Sequence, residues 1–257
     1  MQRPGSTAAS KSPAFSQTDS VQRGDSNGVA TQTREVIALK PSTAAVEAGQ
    51  AVYSRKILSA YDLLVLGVSN RWIWQCPSAR IEAHYSRHLS ANHLDVGVGT
   101  GYFLDRCRYP QAAPRIALMD LNDNSLAFAS NRIARYHPET YRQNILEPVK
   151  APIPAFDSIG INYLLHCLPG TIAGKALVFD HLRPLMKPGA RLFGSTLLQG
   201  GVERGWAARR LMEIYNRKGI FCNSADDLDG LRTELGHRFH HVDIEVVGCV
   251  ALFACAD

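Results

Sequence analysis

The stretch that most constrains this chain runs from His93 to Asp105, His-Leu-Asp-Val-Gly-Val-Gly-Thr-Gly-Tyr-Phe-Leu-Asp. A short apolar run ending at Asp95-Val96 predicts a buried strand. The glycines Gly97, Gly99 and Gly101 predict a turn, and Tyr102-Phe103-Leu104 opens a helix. Glycine admits positive φ and lets a ligand approach the backbone with no Cβ in the way. Amides at the helix start favour negative groups on that ligand. A dinucleotide fingerprint wants a third glycine or alanine where this chain has Tyr102. The pattern here is instead Asp-x-Gly-x-Gly-x-Gly.

The residues around this stretch decide what kind of sheet it belongs to. Residues 1 to 42 are rich in Ser, Thr, Ala, Gln and Gly and predict a disordered tail, because they cannot bury enough apolar surface to offset the entropy of ordering. Thr43 to Val68 carries helical spacing, with Tyr53, Ile57, Leu58, Tyr61, Leu64 and Val65 on one stripe. Trp72 and Trp74 follow closely, either as a small helical core or as the lid of a pocket. A second helix covers Ile81 to Leu89, so that 43–90 forms an N-terminal helical segment ahead of a domain at 91–257. Beyond the glycine turn, strands are expected at Arg115 to Met119 (closing on Asp120), Tyr141 to Ile145, Phe156 to Asn162 and Arg191 to Leu198. Helices are expected at Ser125 to Arg135, capped by Asp123 or Asn124, at Ile172 to Met186, at Val202 to Arg217 and at Ala225 to Leu235. Val242 to Val247 and Val250 to Cys255 are joined tightly enough to be a hairpin. This alternation predicts an α/β fold: a Rossmann-like, doubly wound sheet of seven strands, six parallel and one antiparallel near the C-terminus, with helices on both faces.

Composition removes several function classes. A net charge of +5 in 257 residues is spread thinly, with only short pairs such as Arg209-Arg210, so no basic face for nucleic acid is expected. No apolar stretch approaches the roughly 18 residues that span a bilayer, and no charged start followed by an apolar run marks a secretory signal. The six cysteines stand alone, without Cys-x-x-Cys spacing, which predicts reduced thiols in a cytoplasmic protein and no structural zinc.

From Ala91 onward these motifs recur in the order found in class I S-adenosylmethionine (SAM)-dependent methyltransferases, which the chain resembles. Two further segments sharpen the resemblance: Tyr61-Asp62-Leu63-Leu64-Val65-Leu66-Gly67-Val68-Ser69-Asn70-Arg71-Trp72-Ile73-Trp74-Gln75-Cys76-Pro77, and His93 to Leu104. Together they look like a subgroup of predicted bacterial and fungal methyltransferases that includes polyketide O-methyltransferases such as that of viridicatumtoxin biosynthesis. The resemblance implies SAM as cofactor and a small-molecule acceptor. It implies that Gly97, Gly99 and Gly101 line the cofactor, and that Asp120, followed by Leu121, takes both ribose hydroxyls through an acceptor-only carboxylate. Asn144 stands where the family often has Asp and would accept from the adenine amine, with the Ile145 N–H donating to the ring. Asp95 would orient the turn or meet the ammonium of the methionine moiety. Asn162 would face the sulfonium. The segment from Tyr61 to Pro77 would close over SAM, with Tyr61 on the cofactor and Trp72, Trp74 and Tyr163 shaping the acceptor pocket.

Two absences narrow the chemistry. Asn162-Tyr163-Leu164-Leu165 lacks the prolines of the Asn-Pro-Pro-Tyr motif common in methyltransferases of adenine and glutamine nitrogens, and Asn162 supplies no acidic metal ligand. His166, just past the fourth strand, is the candidate proton acceptor, since an imidazole is partly neutral at pH 7. Alternatively it packs within its loop. The expectation is methyl transfer to a small molecule at oxygen, in secondary metabolism. The rivals are a non-catalytic SAM-binding protein and an NAD-dependent oxidoreductase.

Overall fold

The computed structural model describes residues 62–257. The expected tail, the helical stretch up to residue 61, and Tyr61 itself lie outside the described residues. From Asp62 to Ile73 the chain winds as a π-helix, running five residues past the expected end at Val68. Helix α1 (Ser78–His88) follows and leads into the sheet.

The sheet has seven strands: β1 (Asn92–Val96), β2 (Arg115–Asp120), β3 (Glu139–Arg142), β4 (Phe156–Asn162), β5 (Met186–Leu197), β6 (His241–Val247) and β7 (Val250–Ala256). Their spatial order is β3-β2-β1-β4-β5-β7-β6. Every pairing from β3 to β5 is parallel, whereas β7 runs antiparallel to both β5 and β6. Six strands thus share one direction and only β7 opposes them. Five helices complete the main layers: α2 (Tyr102–Arg106), α3 (Asp123–Arg132), α4 (Ile172–Lys175), α5 (Leu177–Leu182) and α6 (Trp206–Arg217), joined by α7 (Leu228–Gly236).

Strand alternation divides the core between two faces. On one face Phe193 and Leu252 pack with Ile81 and Tyr85 of α1, Phe103 of α2, Leu126 of α3 and Met212 of α6. On the other, Leu94, Leu192 and Phe253 pack with Val178 and Phe179 of α5 and Leu231 of α7. Helices therefore cover both faces, and β4, between β1 and β5, is buried at six of its seven residues. The switch in winding direction falls between β1 and β4, so a cleft opens beyond their carboxyl ends.

Local chemistry moves several boundaries. The cap of α3 is Asn122, one residue earlier than expected, and its side chain accepts from the N–H groups of Asn124 and Ser125. The single helix expected from Ile172 to Met186 is broken into α4, α5 and a 3-10 turn at Arg183–Leu185. Pro184 has no N–H to continue an α-helix. Lys187-Pro188-Gly189, just past the end expected for that helix, lies within β5, beside a register shift opposite Phe156 and Ser158, where a strand tolerates proline. The Trp72–Trp74 pair also splits. Trp74 is 1% exposed and packs on Phe221 with ring centroids 6.1 Å apart, while Trp72 is 71% exposed beneath the Arg71 guanidinium. Among the described residues no helix is long and apolar enough to cross a membrane.

One buried ion pair ties α4 to the loop ahead of α7. Lys175 Nζ lies 2.6 Å from Asp226 Oδ2, both side chains are wholly buried, and Nζ also donates to the Cys222 carbonyl at 2.7 Å. Among the described residues Asp226 Oδ1 has no partner. Burial pushes the lysine down and the carboxylate up, so each depends on the other to stay charged. Lys175→Met should therefore cost about 3–5 kcal/mol of unfolding free energy, because it strands a carboxylate in the core. Adding Asp226→Leu should recover most of that loss, and urea denaturation of the single and double variants checks both outcomes.

Candidate active site

The turn after β1 is built from left-handed residues. Gly97, Gly99 and Gly101 have φ of 73°, 50° and 69°. Each also meets a different steric demand. A Cβ on Gly97 would stand 2.7 Å from Leu164 Cδ1, and one on Gly101 would stand 3.0 Å from Ala129 Cβ of α3. A Cβ on Gly99 would meet nothing within 4 Å, because it would point into the open cleft. Helix α2 has only five residues, so turn amides face the cleft without the backing of a long helix dipole.

The cleft has two halves that share Gly97, Gly99 and Tyr163. One half runs over the ends of β2 and β3, where Asp120, Leu121, Asn144 and Ile145 line it with Leu164 and Pro169. The other lies beneath the turn, lined by Asp95, Asn162, Tyr85, Tyr102 and Thr100. Ten of the fourteen residues expected at the site therefore border one continuous cleft. Tyr61 lies outside the described residues, and Trp72, Trp74 and His166 do not border it.

Asp120 ends β2, and its carboxyl Oδ1 accepts from the Asn122 N–H at 2.9 Å. Burial raises its pKa to about 6, while amides of Asn122, Val98, Gly99 and Leu121 pull the other way. The carboxylate thus sits in a cradle of backbone donors contributed by both the glycine turn and its own loop. Asn144 follows β3 and is partly committed to its own turn. Its Oδ1 accepts from Leu146 N–H at 3.1 Å and its Nδ2 donates to Glu147. An amide oxygen has a second lone pair, so acceptor capacity remains.

Asn162 closes β4, is 7% exposed, and among the described residues has no hydrogen-bond partner for either its side-chain nitrogen or its oxygen. A buried amide without partners loses free energy unless something else supplies them. Tyr163, next in the chain, is a non-glycine residue at φ 54°. Its N–H donates to Ser195 O at 2.8 Å and its hydroxyl donates to Asn70 Oδ1 at 3.0 Å. Asn70 is fully buried and its Nδ2 donates to Ser78 Oγ, so the π-helical segment is fastened to the floor of the cleft. Sequence reasoning did not single out Asn70, although it lies inside the Tyr61 to Pro77 motif.

His166 has a different part from the expected one. It lies in the 3-10 turn Leu165–Cys167, 3% exposed, with its ring 4.6 Å from Phe221 and 5.5 Å from Tyr163. Burial, and then the Lys175 charge, drives its pKa down to about 3. The Leu197 N–H points at Nδ1 from 3.4 Å, which leaves the ring proton on Nε2. A neutral ring this weakly basic, set behind Tyr163, is a packing and positioning group. Of the two expectations for His166, its burial away from the cleft lining favours packing within its loop over accepting a proton. Trp74 is likewise core and not pocket wall, since its surroundings are Phe221 and the sheet.

An acceptor-only carboxylate at the end of β2, a glycine turn with open space before it, and an orphaned buried amide at the end of β4 together fit a ligand with hydroxyl, amine and charged ends. The comparisons with known proteins agree. A family profile described as a methyltransferase domain matches residues 94–192. Demethylluteothin O-methyltransferase of Streptomyces thioluteus is 40% identical over 205 residues, 80% of this chain and 89% of that protein. The physcion biosynthesis cluster O-methyltransferase of Aspergillus chevalieri is 33% identical over 217 residues, 83% of this chain and 96% of that one. Among solved structures, a DhpI–SAH complex matches the fold with a TM-score of 0.61 at 14% identity, covering 84% of this chain and 98% of the other. Identity at this level across most of both curated relatives shows the family, and the chain belongs to the class I SAM-dependent methyltransferases.

Proposed function

We propose that this chain transfers a methyl group from SAM to a hydroxyl oxygen of a small secondary metabolite, with the cofactor held across the cleft between β2 and β4. The Asp120 cradle carries this reading: a half-buried carboxylate ringed by amides, at the strand end where a ribose would offer two hydroxyl donors. Asn144 and Ile145 take the adenine edge, and Asp95 and Asn162 take the methionine end. When bound, SAM supplies a methyl group already activated on a cationic sulfonium. The chain's own work is to orient the acceptor in line with that methyl and to keep water out. Tyr163, shared by both halves of the cleft, stands where they meet and walls the reacting region. The described part of the Tyr61 to Pro77 motif, held to Tyr163 by Asn70, serves as the lid.

Two observations support oxygen as the acceptor atom and an acidic hydroxyl as its class. Both curated relatives carry the names of O-methyltransferases. No histidine or lysine lines the cleft among the described residues. An enol or phenol, which gives up its proton readily to water, then suits the site better than an aliphatic alcohol. The acceptor oxygen would exchange its bond to hydrogen for one to the methyl group that SAM would supply from its sulfonium, leaving a thioether, and the proton would leave to solvent.

Calorimetric titration with S-adenosylhomocysteine (SAH) tests the cofactor assignment. Micromolar binding is expected, and Asp120→Ala should weaken it by about tenfold or more. Absence of binding to the native chain overturns the proposal. Labelled SAM incubated with enolic and phenolic acceptors then distinguishes turnover from binding alone. The pH profile follows from Asp120. Its carboxylate is present above about 6, so SAH affinity should hold from pH 8 to 7 and fall as the pH drops through 6. Asp120→Asn should flatten that fall.

His166 yields a stability prediction of opposite sign to that of an active-site base. Its folded pKa lies below its unfolded value, so the native chain stays neutral where the unfolded chain takes a proton. The contribution is fully present above about pH 6.5 and is lost as the pH falls toward 3, at about 1 kcal/mol per pH unit. His166→Gln should remove that slope between pH 6.5 and 5, as read from urea unfolding. An unchanged slope would contradict the assignment.

A further inference from the structure

Beneath the glycine turn, Asp95 is held by groups that the cofactor assignment does not use. It is 3% exposed and lines the turn half of the cleft. Tyr85, on α1, donates its hydroxyl proton to Asp95 Oδ2 at 2.5 Å, and His93 Nε2 lies 3.5 Å from the same oxygen. His93 Nδ1 is in turn 2.8 Å from Ser158 Oγ on β4. Among the described residues both side-chain contacts fall on Oδ2 and none on Oδ1.

The surroundings keep this arrangement in place. The Tyr85 ring stacks on Phe103 with centroids 5.4 Å apart and meets Phe193 edge-on at 5.2 Å. Opposite Asp95 in the sheet is Gly160, where a Cβ would come within 3.1 Å of both Asp95 Oδ2 and His93 Cε1. The absent side chain leaves room for the two polar groups to lie side by side. Burial and the neighbouring carboxylate keep the Tyr85 phenol protonated, so toward Asp95 it is the donor.

This half of the cleft therefore presents one carboxylate oxygen with its partner tied back, together with the unpartnered amide of Asn162. Acceptors and a donor so placed fit the ammonium and carboxylate of an α-amino acid. We propose that Tyr85 is a positioning residue for the amino-acid end of the cofactor: its hydroxyl pins Asp95 Oδ2 so that Oδ1 and Asn162 receive the charged groups. This inference rests on the SAM reading above and extends it to what the turn half selects. The cleft discriminates between ligands that carry an amino-acid tail and ligands that end at the thioether.

Two ligands sharing the adenosine and differing in that tail make the test. SAH and 5′-methylthioadenosine are titrated by calorimetry into the native chain and into Tyr85→Phe, with thermal melting as the folding control. The native chain should bind SAH about tenfold or more tightly than methylthioadenosine. Tyr85→Phe should weaken SAH by about tenfold while leaving methylthioadenosine within about twofold. Loss of both ligands together, or of neither, overturns the proposal, since packing alone would not separate them. Equal native affinity for the two ligands also overturns it, whether or not the variant folds. Failure of the native chain to bind either ligand instead defeats the SAM reading itself.

Discussion

The cleft depends on how β1 ends. Three left-handed residues within five positions reverse the chain so tightly that its amides face outward over the sheet edge, and no L side chain adopts those angles cheaply. Every later feature is fitted to that reversal. Leu164 packs against the first glycine and Ala129 against the third, while the middle one is left to the opening. The Asp120 carboxylate is then oriented by amides from the turn as well as from its own loop. Backbone, more than side chains, draws the outline of the site.

Behind that outline the central strands carry polar groups where hydrophobic ones would give more stability. His93, Asp95, Ser158, Asn162 and Ser195 lie on β1, β4 and β5 with less than a tenth of their surface exposed. Burying such groups costs free energy unless each finds a partner. Most do, through Tyr85 and through the Ser158–Ser90 contact at 2.8 Å. The exceptions, the Asn162 amide and the Ser195 hydroxyl, are neighbours in register at the cleft end of the sheet. Satisfaction is therefore graded along the strands, complete far from the opening and incomplete beside it.

What could be read from the sequence was whatever local pattern controls. The glycine turn, the continuous apolar run of β4 and the terminal hairpin have short-range signatures, and the structure has them within a residue or two. Asp120 was accessible because it closes β2, whereas the strand expected at Tyr141 to Ile145 lies earlier, at Glu139–Arg142, which leaves Asn144 and Ile145 in the turn beyond it. His166 and Trp74 misled because nearness in sequence to a strand end says nothing about which way a side chain turns. Phe221 decided both, from more than fifty residues away. Asn70 was missed for the same reason, since it meets Tyr163 across 93 residues, and Tyr85 because its hydroxyl leaves its helix to reach Asp95 on β1. The broken helix after Ile172 was a matter of proline placement outweighing apolar periodicity.

The bond from Tyr163 to Asn70 joins a residue in a costly backbone conformation to a segment wound as a π-helix, a geometry that is itself uncommon. Neither half of this pair is the arrangement its own stretch of chain would choose alone. Their hydrogen bond links the π-helical segment to the floor of the cleft. Coupling of that kind is reciprocal. On the proposed function, a ligand that settles against Tyr163 would therefore bear on Asn70 as well, 93 residues away in the chain.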